Sequence, residues 1–512
     1  TRARREARFL LCETVMRFSL TMVSRAICVA LMVGGCEKSI VEPPLAFDVT
    51  PNAPTLFRGS SIKLDPAAMV GGIPATGPFK WSSSDTTIVR VDGTGLITGV
   101  SPGTATVRAL VIDGFAETSV TVIEGGGTLR AAALTTCGIN RADGALYCWG
   151  RNNEGQIGIG NQISPQPAPR KVNGGLTFTS VSNGFDLTCG MTTTGPYCWG
   201  VNSAFIINDG IVPLDSSSPT KVVRGERFNR IETNGNYSGS FTASLCIDFV
   251  CGANTCALTP EGDVFCWTAS SFQPFSGATP FNPLPRVGVP RLESISVGVR
   301  QMCGIAFDKT AYCWGSSFYF SLGSGGSPLD PRVFGDGRLF QAINTGLDHT
   351  CAIDLLGDAY CLGANISGQL GAPSSESCPT RFRTTPCRST IAKVEGGYKF
   401  LSIDAGVSSG STTDAQPYSH TCGITTTLDI VCWGYNAYGQ LGNGTTQDAA
   451  TPTKVSSALK FREVTVGEYH TCAITVDGAG YCWGLNNEGQ LGTGNLLSSP
   501  VPIAIGGGMT FK

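Results

Sequence analysis

Charge is scarce in this chain of 512 residues: Asp, Glu, Lys and Arg together make up 14%, against ~25% in an ordinary soluble domain. A chain so poor in Glu, Lys and Arg lacks the residues that cover exposed helix faces, which argues against a helical protein. Histidine is rarer still. His349, His420 and His470 are the only three, and each stands immediately before Thr-Cys. A residue tied to one repeated position is structural by default, so acid–base catalysis by histidine is not expected. No G-x-S-x-G, H-E-x-x-H or calcium-loop pattern occurs, so the hydrolase and metalloprotease motifs are missing and no cofactor or metal is implied. An excess of positive charge is lacking too. The net charge is −2, and past Cys36 there are 30 basic and 36 acidic residues. Nucleic acids and anionic membranes attract basic faces, so neither is the expected partner.

What is abundant is glycine, at 66 positions, and cysteine, at 21. Many Gly, Thr, Ser and aromatic residues suit short strands joined by tight turns, and the class expected is all-β. So many thiols would be a liability in a reducing cytosol. In an exported protein they read as a disulfide framework.

Residues 1–36 read as upstream residues plus a signal peptide. Met16 or Met22 is the expected start, because Thr1 is not an ordinary one. Arg17 and Arg25 then give a positive segment and Ala26–Val33 an apolar one, too short to span a membrane. The run Val33-Gly34-Gly35-Cys36 resembles the bacterial lipobox, in which Cys36 would be lipidated and become the new N-terminus. An ordinary secretory signal cut near Gly35, or a short apolar anchor left in place, is the other reading. Cys12, Cys28 and Cys36 leave 18 cysteines downstream, an even number.

After a linker at 37–43, residues 44–124 contain no cysteine. Runs such as Ile88–Asp92, Gly95–Val100, Thr104–Val107 and Thr118–Ile123 alternate and are separated by Gly, Pro and Asp turns. That spacing argues a small β-sandwich, with Trp81 in its core. W-S-S-S-D at 81–85, V-D-G-T-G-L-I-T-G-V at 91–100 and S-P-G-T-A-T-V at 101–107 resemble the group 2 bacterial immunoglobulin-like domain. The resemblance implies a spacer or adhesive module of a surface protein. Residues 125–128 read as a Gly-rich linker.

From 129 to 512 the chain repeats itself. T-C-x-I…Y-C-W-G recurs seven times, with first cysteines at 137, 189, 256, 303, 351, 422 and 472. Each copy reads as four strands, A to D, and four strands per ~50 residues repeated seven times predict a seven-bladed β-propeller. A linear solenoid is the alternative. The closing stretch Gly507–Lys512 resembles the Gly174–Phe178 stretch that the first copy lacks. The last residues are therefore expected to complete the first blade, an eighth repeat beyond Lys512 being the other reading.

Pairing the two cysteines of a copy across the B–C hairpin leaves a three-residue loop such as Val476-Asp477-Gly478. Hairpins favour such loops, and the cysteines then stand opposite each other within disulfide reach. The pairs expected are Cys137–Cys148, Cys189–Cys198, Cys256–Cys266, Cys303–Cys313, Cys351–Cys361, Cys422–Cys432 and Cys472–Cys482. Cys246–Cys251 and Cys378–Cys387 remain, each inside an insertion. Zinc would need C-x-x-C pairs that converge, and these do not occur.

The run F-x-x-V…H-T-C-A-I-T-x-D-G…Y-C-W-G-x-N-x-x-G-Q-L-G at 461–492 resembles the regulator of chromosome condensation repeat. His349, His420, His470, Trp483 and Gly489–Gly492 match its positions, while the paired cysteines depart from its eukaryotic pattern. Gly-Gln-Leu-Gly is missing after Trp199 and Trp267. The founder of that family is a nucleotide exchange factor that docks on chromatin. An exported, acidic, disulfide-bonded chain meets neither partner, so the resemblance implies only a rigid disc that presents loops for binding.

Binding, not catalysis, is the function expected; two carboxylates in the propeller mouth acting as a glycosidase are the one enzymatic reading left. In a meander the A–B and C–D connections share one face. The insertions Ser238–Ala253, Ala372–Thr390 and Val407–Ser419 all fall there. They and their flanks carry Tyr237, Phe241, Phe249, Arg381, Phe382, Arg383, Arg388 and Tyr418. Aromatic and Arg side chains on pinned loops are what binding hot spots are made of. The partner expected is an extracytoplasmic protein, with a glycan or a passive spacer role as alternatives, and the only membrane contact expected is the lipid at Cys36.

Overall fold

A computed structural model describes residues 45–46, 48–59, 61–67, 79–111, 114–123, 127–201, 215–222, 227–234, 254–268, 284–285, 288–298, 301–315, 331–374, 376–379, 384–406 and 418–512. Cys36, Cys246, Cys251, Tyr237, Phe241, Phe249, Arg381, Phe382 and Arg383 lie outside these residues.

The fold is all-β. Seven antiparallel meanders follow one another from Leu129 to Ala504. The seventh blade shows the pattern: Phe461–Val466, His470–Thr475, Gly480–Gly484 and Ser499–Ala504 pair in chain order. Its first two strands are buried at every residue. A blade is covered on both faces by its neighbours, so the polar-out alternation of a half-exposed strand disappears, as it does in any sheet buried on both sides.

The repeated residues are explained by how blades touch. Trp483 donates its Nε1–H to the Gln440 carbonyl of the blade before it, at 2.9 Å, and Thr471 donates its hydroxyl to the same oxygen at 2.8 Å. Trp149, Trp199 and Trp433 reach the Gln490, Gln156 and Gln369 carbonyls in the same way. The Gly-Gln-Leu-Gly turn of one blade is thus the acceptor for the C-W-G of the next. Where that turn is missing after Trp199, the buried Trp267 Nε1 has no partner among the described residues. Gly484 sits at φ 102°, and a Cβ there would lie 2.4 Å from the Tyr469 carbonyl oxygen. Only glycine fits, which accounts for the invariant W-G step of the copies that keep it.

Within each of the seven hairpins the two cysteines are direct cross-strand partners. Cys472 and Cys482 are bonded with their Cα atoms 4.1 Å apart, and the other six hairpin pairs differ from this by no more than 0.1 Å. Cys378 and Cys387 are bonded as well, in a different setting. The fifth blade has an extra outer strand, Glu376–Pro379, which folds back on a long Thr384–Lys393 strand. The expected insertion Ala372–Thr390 therefore ends sooner. Arg388 belongs to the outer strand, opposite Gly363, because the Cys378–Cys387 hairpin continues the ladder of the blade.

Blade seven closes on blade one. His470 Nε2 lies 2.9 Å from Thr136 Oγ1, and Thr136 donates to the Gln490 carbonyl. The Glu463 carboxylate accepts the N–H groups of Gly127, Thr128 and Leu129 across the seam. Phe511 bridges to Asn140 just outside the inner strand Leu129–Ala132. It thereby takes the place in blade one that Phe461 holds in blade seven, and Arg462 and Thr128 hold the Lys512 carbonyl.

The inner strands line the central axis. Opposite the first cysteine of the successive blades stand Arg130, Ser182, Glu232, Ser296, Asn344, Asp404 and Thr465. An inner strand has one edge with no strand beside it, so its N–H groups need other acceptors. Five of the seven side chains supply them to the next blade: Ser182 to Thr233, Ser296 to Thr345, Asn344 to Ala405, Asp404 to Val466 and Thr465 to Ala131.

Residues 45–123 form a separate sandwich. Its long strands Gly103–Val111 and Gly114–Ile123 pair antiparallel, and Leu56, Ile62, Leu64, Val89, Ile97, Val107 and Val120 fill its core. Trp81 is half-buried against that core, beneath Gly95. The sandwich meets the propeller on the face of the B–C turns. Phe57 is buried in one cluster with Leu401 and Ile424, with Ile123 and Leu428 packed on it, and the Lys63 N–H donates to the Leu355 carbonyl at 2.7 Å.

Candidate functional site

The opposite face carries the A–B and C–D connections. The links between Arg230–Thr233 and Asn254–Leu258, between Phe400–Ala405 and His420–Thr425, and between Ala359–Ala364 and Thr384–Lys393 all leave the blades on this side. All three insertions start from it. Of the residues singled out in them, two are described. Arg388 is half-buried and donates its Nε–H to the Pro373 carbonyl at 2.8 Å, so it braces its own loop.

Tyr418 stands in a cluster. Its ring stacks on Tyr435 with centroids 4.5 Å apart and planes 21° from parallel. Tyr435 in turn meets Tyr438 edge-on at 6.4 Å and Tyr469 at 6.2 Å, and Tyr438 and Tyr469 are 5.2 Å apart. Tyr435 and Tyr438 come from the C–D loop of blade six and Tyr469 from the A–B turn of blade seven. Tyr418 sits just before the B strand of blade six. Tyr438 is exposed, and the other three are half-buried.

Sequence reasoning found Tyr418 and missed the other three. Tyr435, Tyr438 and Tyr469 sit beside the repeated residues at positions that vary from copy to copy. Leu485 follows C-W-G in blade seven where Tyr435 does in blade six, and Glu488 stands where Tyr438 does. An aromatic residue at a variable, solvent-facing repeat position was the available signal. Burial raises the affinity of the Tyr435 phenol for its proton, and the nearby Tyr438, Asp448 and Tyr418 add to it. The Tyr435 phenol therefore stays neutral at neutral pH. Asp448 accepts the Asn436 N–H at 2.8 Å at the foot of the same loop.

The histidines are elsewhere and occupied. His349 and His420 lie 2.9 and 2.8 Å from Thr421 and Thr471 of the following blades. Those threonine hydroxyls already donate to the Gln369 and Gln440 carbonyls, so each imidazole must be the donor, with its proton on Nε2. Burial drives His349 down to about 4 and His420 and His470 down to about 3, and all three are neutral. They are fully buried and cannot reach a substrate.

Half-buried charges stand on the inner strands. Arg130 is 4.0 Å from Glu232 and also feels Asp404 and Glu463. Burial raises Asp404 to about 6 against the pull of Arg130. Asp404 and Glu463 sit in the interblade hydrogen bonds already described. Glu376, Cys378 and Cys387 bring three possible metal-ligand atoms within 4.8 Å. The two sulfurs are bonded to each other and offer no thiolate, so the group is not a metal centre.

Comparison with known proteins agrees with this architecture. The model of the bacterial Ig-like domain (group 2) matches residues 46–122. The model of the regulator of chromosome condensation (RCC1) repeat matches 143–191, 430–474 and 477–511, and a second model of that repeat matches 461–490. Among curated relatives, the ultraviolet-B receptor UVR8 of Arabidopsis thaliana is 26% identical over 329 residues, 61% of this chain and 66% of its own length. The probable E3 ubiquitin-protein ligase HERC6 of Homo sapiens is 28% identical over 193 residues, 36% of this chain and 17% of its own length. The chain thus spans only part of either relative. Among solved structures, Prp20p of Saccharomyces cerevisiae superposes with a TM-score of 0.56 at 18% identity, over 72% of this chain and 87% of its own. Human WBSCR16 gives 0.57 at 16%, over 71% and 94%. Likeness at that identity shows the fold alone. Prp20p itself has binding properties toward Gsp1p and histones.

Proposed function

Because the chain carries regulator of chromosome condensation repeats behind a group 2 bacterial immunoglobulin-like domain, we propose that it is a non-enzymatic binding scaffold of the bacterial cell envelope. The partner is an extracytoplasmic protein, held on the face of the A–B and C–D connections. One observation carries the reading. All three insertions leave the propeller on one face, and the immunoglobulin-like domain packs on the other. A bacterial domain joined to eight disulfides among the described residues fits an extracellular location. Lipidation at Cys36 would tether the sandwich side and leave the insertion face outward. In this reading residues 44–124 are the spacer, 125–128 the linker and 129–512 the binding disc. Prp20p, which shares the propeller fold, binds proteins, and a rigid disc suits that use because little order is lost on binding.

A pull-down from envelope and secreted fractions with residues 37–512 tests it. The comparison variants lack Ser238–Cys251 or Glu376–Cys387, cuts that remove each extra cysteine pair whole. The second cut leaves Arg388–Lys393, the length of outer strand that blade six has. A protein retained by the full chain and lost from either variant supports the proposal. Identical yields from all three chains, or empty lanes, overturn it.

A further inference from the structure

We propose that Tyr418, Tyr435, Tyr438 and Tyr469 are the contact site for a lysine or arginine side chain of a protein partner. The inference rests on the scaffold reading and narrows it to one place and one chemistry.

The cluster is surplus to the fold. The core beneath it is already closed by Trp433 and Trp483, both fully buried and both bonded to the preceding blade. Blade seven folds with Leu485 and Glu488 where blade six has Tyr435 and Tyr438. Four rings from three separate segments nevertheless converge, in a chain with 12 tyrosines in all. Tyrosine supplies large contact area at low entropic cost, so a converged, exposed group of them is a binding surface more than a packing device.

Charge decides what it would bind. Across Gly467–Tyr469, Tyr435–Asp448 and Leu485–Ser498, the turns that frame the cluster and its neighbour, the side chains include Glu468, Asp448 and Glu488 and no Lys, Arg or His. Aromatic faces carry negative potential, and carboxylates beside them deepen it, which favours a cation over the rings. Asp448 acts directly on Tyr435. The rest of the face favours a protein as the partner. Leu496 and Leu497 on the C–D loop of blade seven are 47% and 73% exposed, and Ile163 on that of blade one is 65% exposed. Exposed branched aliphatic side chains on the same face as an aromatic, acidic centre match a protein surface with a basic residue among apolar ones. A sugar, which offers hydroxyls to polar groups, has little use for them.

The test uses residues 37–512 with disulfides intact and tyrosine rings labelled with carbon-13. The probe is a fluorescent nonapeptide of Arg, Leu and Gly. The comparators are the same peptide with citrulline for arginine, and xylohexaose. The arginine peptide is expected to shift the four ring signals, assigned by Tyr→Phe variants, and the citrulline peptide to leave them in place. Tyr438→Ala should weaken binding by roughly three- to thirtyfold, the range of a partly exposed cation–π contact. Tyr438→Phe, which keeps the ring, should stay within about threefold of the parent, and Asp448→Asn should weaken binding at low salt. Equal binding of the citrulline peptide, or unchanged affinity in a folded Tyr438→Ala protein, overturns the proposal. Ring shifts from xylohexaose with none from the peptide overturn it in favour of a sugar site. The scaffold reading fails separately. An envelope protein retained equally by the parent and by Tyr438→Ala/Tyr469→Ala leaves the scaffold standing and refutes the tyrosine site.

Discussion

Closing a ring of blades without a covalent bond at the seam puts an unusual demand on Glu463. Its carboxylate accepts three hydrogen bonds from the start of blade one, from the N–H groups of Gly127 at 2.5 Å, Thr128 at 3.0 Å and Leu129 at 3.1 Å, while the Thr128 hydroxyl gives its one proton to the Lys512 carbonyl. The register position it fills, opposite Ile474, is held in blade six by Ser402, opposite Ile424. The serine hydroxyl finds no partner among the described residues. Glu463→Ala therefore removes a seam clasp that the other position does not have. Leu129 is fully buried, so its N–H is left without water or acceptor, at a cost of about 1–3 kcal/mol. Gly127 and Thr128 are half-exposed and recover water, so their donors add only about 1 kcal/mol more together. The expected loss is about 2–4 kcal/mol for Glu463→Ala and no more than about 1 kcal/mol for Glu463→Gln, whose amide oxygen can stand where Oε1 accepts all three N–H groups. Ser402→Ala should be neutral within about 0.5 kcal/mol. Urea unfolding of residues 37–512, followed by tryptophan fluorescence, measures all three. Equal losses for Glu463→Ala and Ser402→Ala, or a loss below about 0.5 kcal/mol for the first, would refute the clasp.

Thr471→Val should cost about 2 kcal/mol, because it strands the buried His420 Nε2–H and half-satisfies the Gln440 carbonyl; Thr471→Ser, which keeps the hydroxyl, should recover most of it in the same urea assay. Stability should fall as pH drops below about 6.5. The folded pKa values of His349, His420 and His470, about 4, 3 and 3, lie below the unfolded value of 6.5, so the unfolded chain binds more protons and this stability is present above 6.5 and lost below it. Asp404 runs the other way, with a folded pKa of about 6 against 3.8 unfolded, and offsets one of the three protons between those values. From these four groups the slope between pH 6 and 4 should approach two protons, and His420→Gln should flatten it in urea titrations at several pH values; a stability that rises on acidification contradicts the assignment. Replacing Cys472 and Cys482 together by serine should cost no more than about 3 kcal/mol, because the loop they close is short. A loss well above that in thermal unfolding would mean the pair also holds the interblade contacts of Thr471 and Trp483.

Much of this protein is legible in its sequence, for a physical reason. A repeat that must pack on copies of itself meets the same demands seven times, and the demands are written as fixed residues. The Trp and Gly of C-W-G, the Thr before the first cysteine and the Gln of Gly-Gln-Leu-Gly are the two ends of one interblade contact. The hairpin cysteines follow from strand register, since an opposite pair in a short-looped antiparallel hairpin can meet nowhere else. The structural role of the histidines was also readable, because their position never varied. The partner of their Nε2, a threonine of the next blade round the ring, was not.

By itself, then, the sequence determined whatever one repeat or one hairpin decides: the all-β class, the four-strand unit, the staples and the face on which each insertion leaves. Tertiary structure decided what depends on elements far apart in the chain meeting. It put Tyr418 with Tyr435, Tyr438 and Tyr469, which a local pattern leaves as four unrelated residues. It turned part of the blade-five insertion into strand, where Arg388 braces a carbonyl. It set the sandwich on the B–C turns through Phe57 and Leu401, and gave Glu463 the seam. Each of these is a contact made once, between segments with no periodic relation, and a contact that occurs only once leaves no pattern to read.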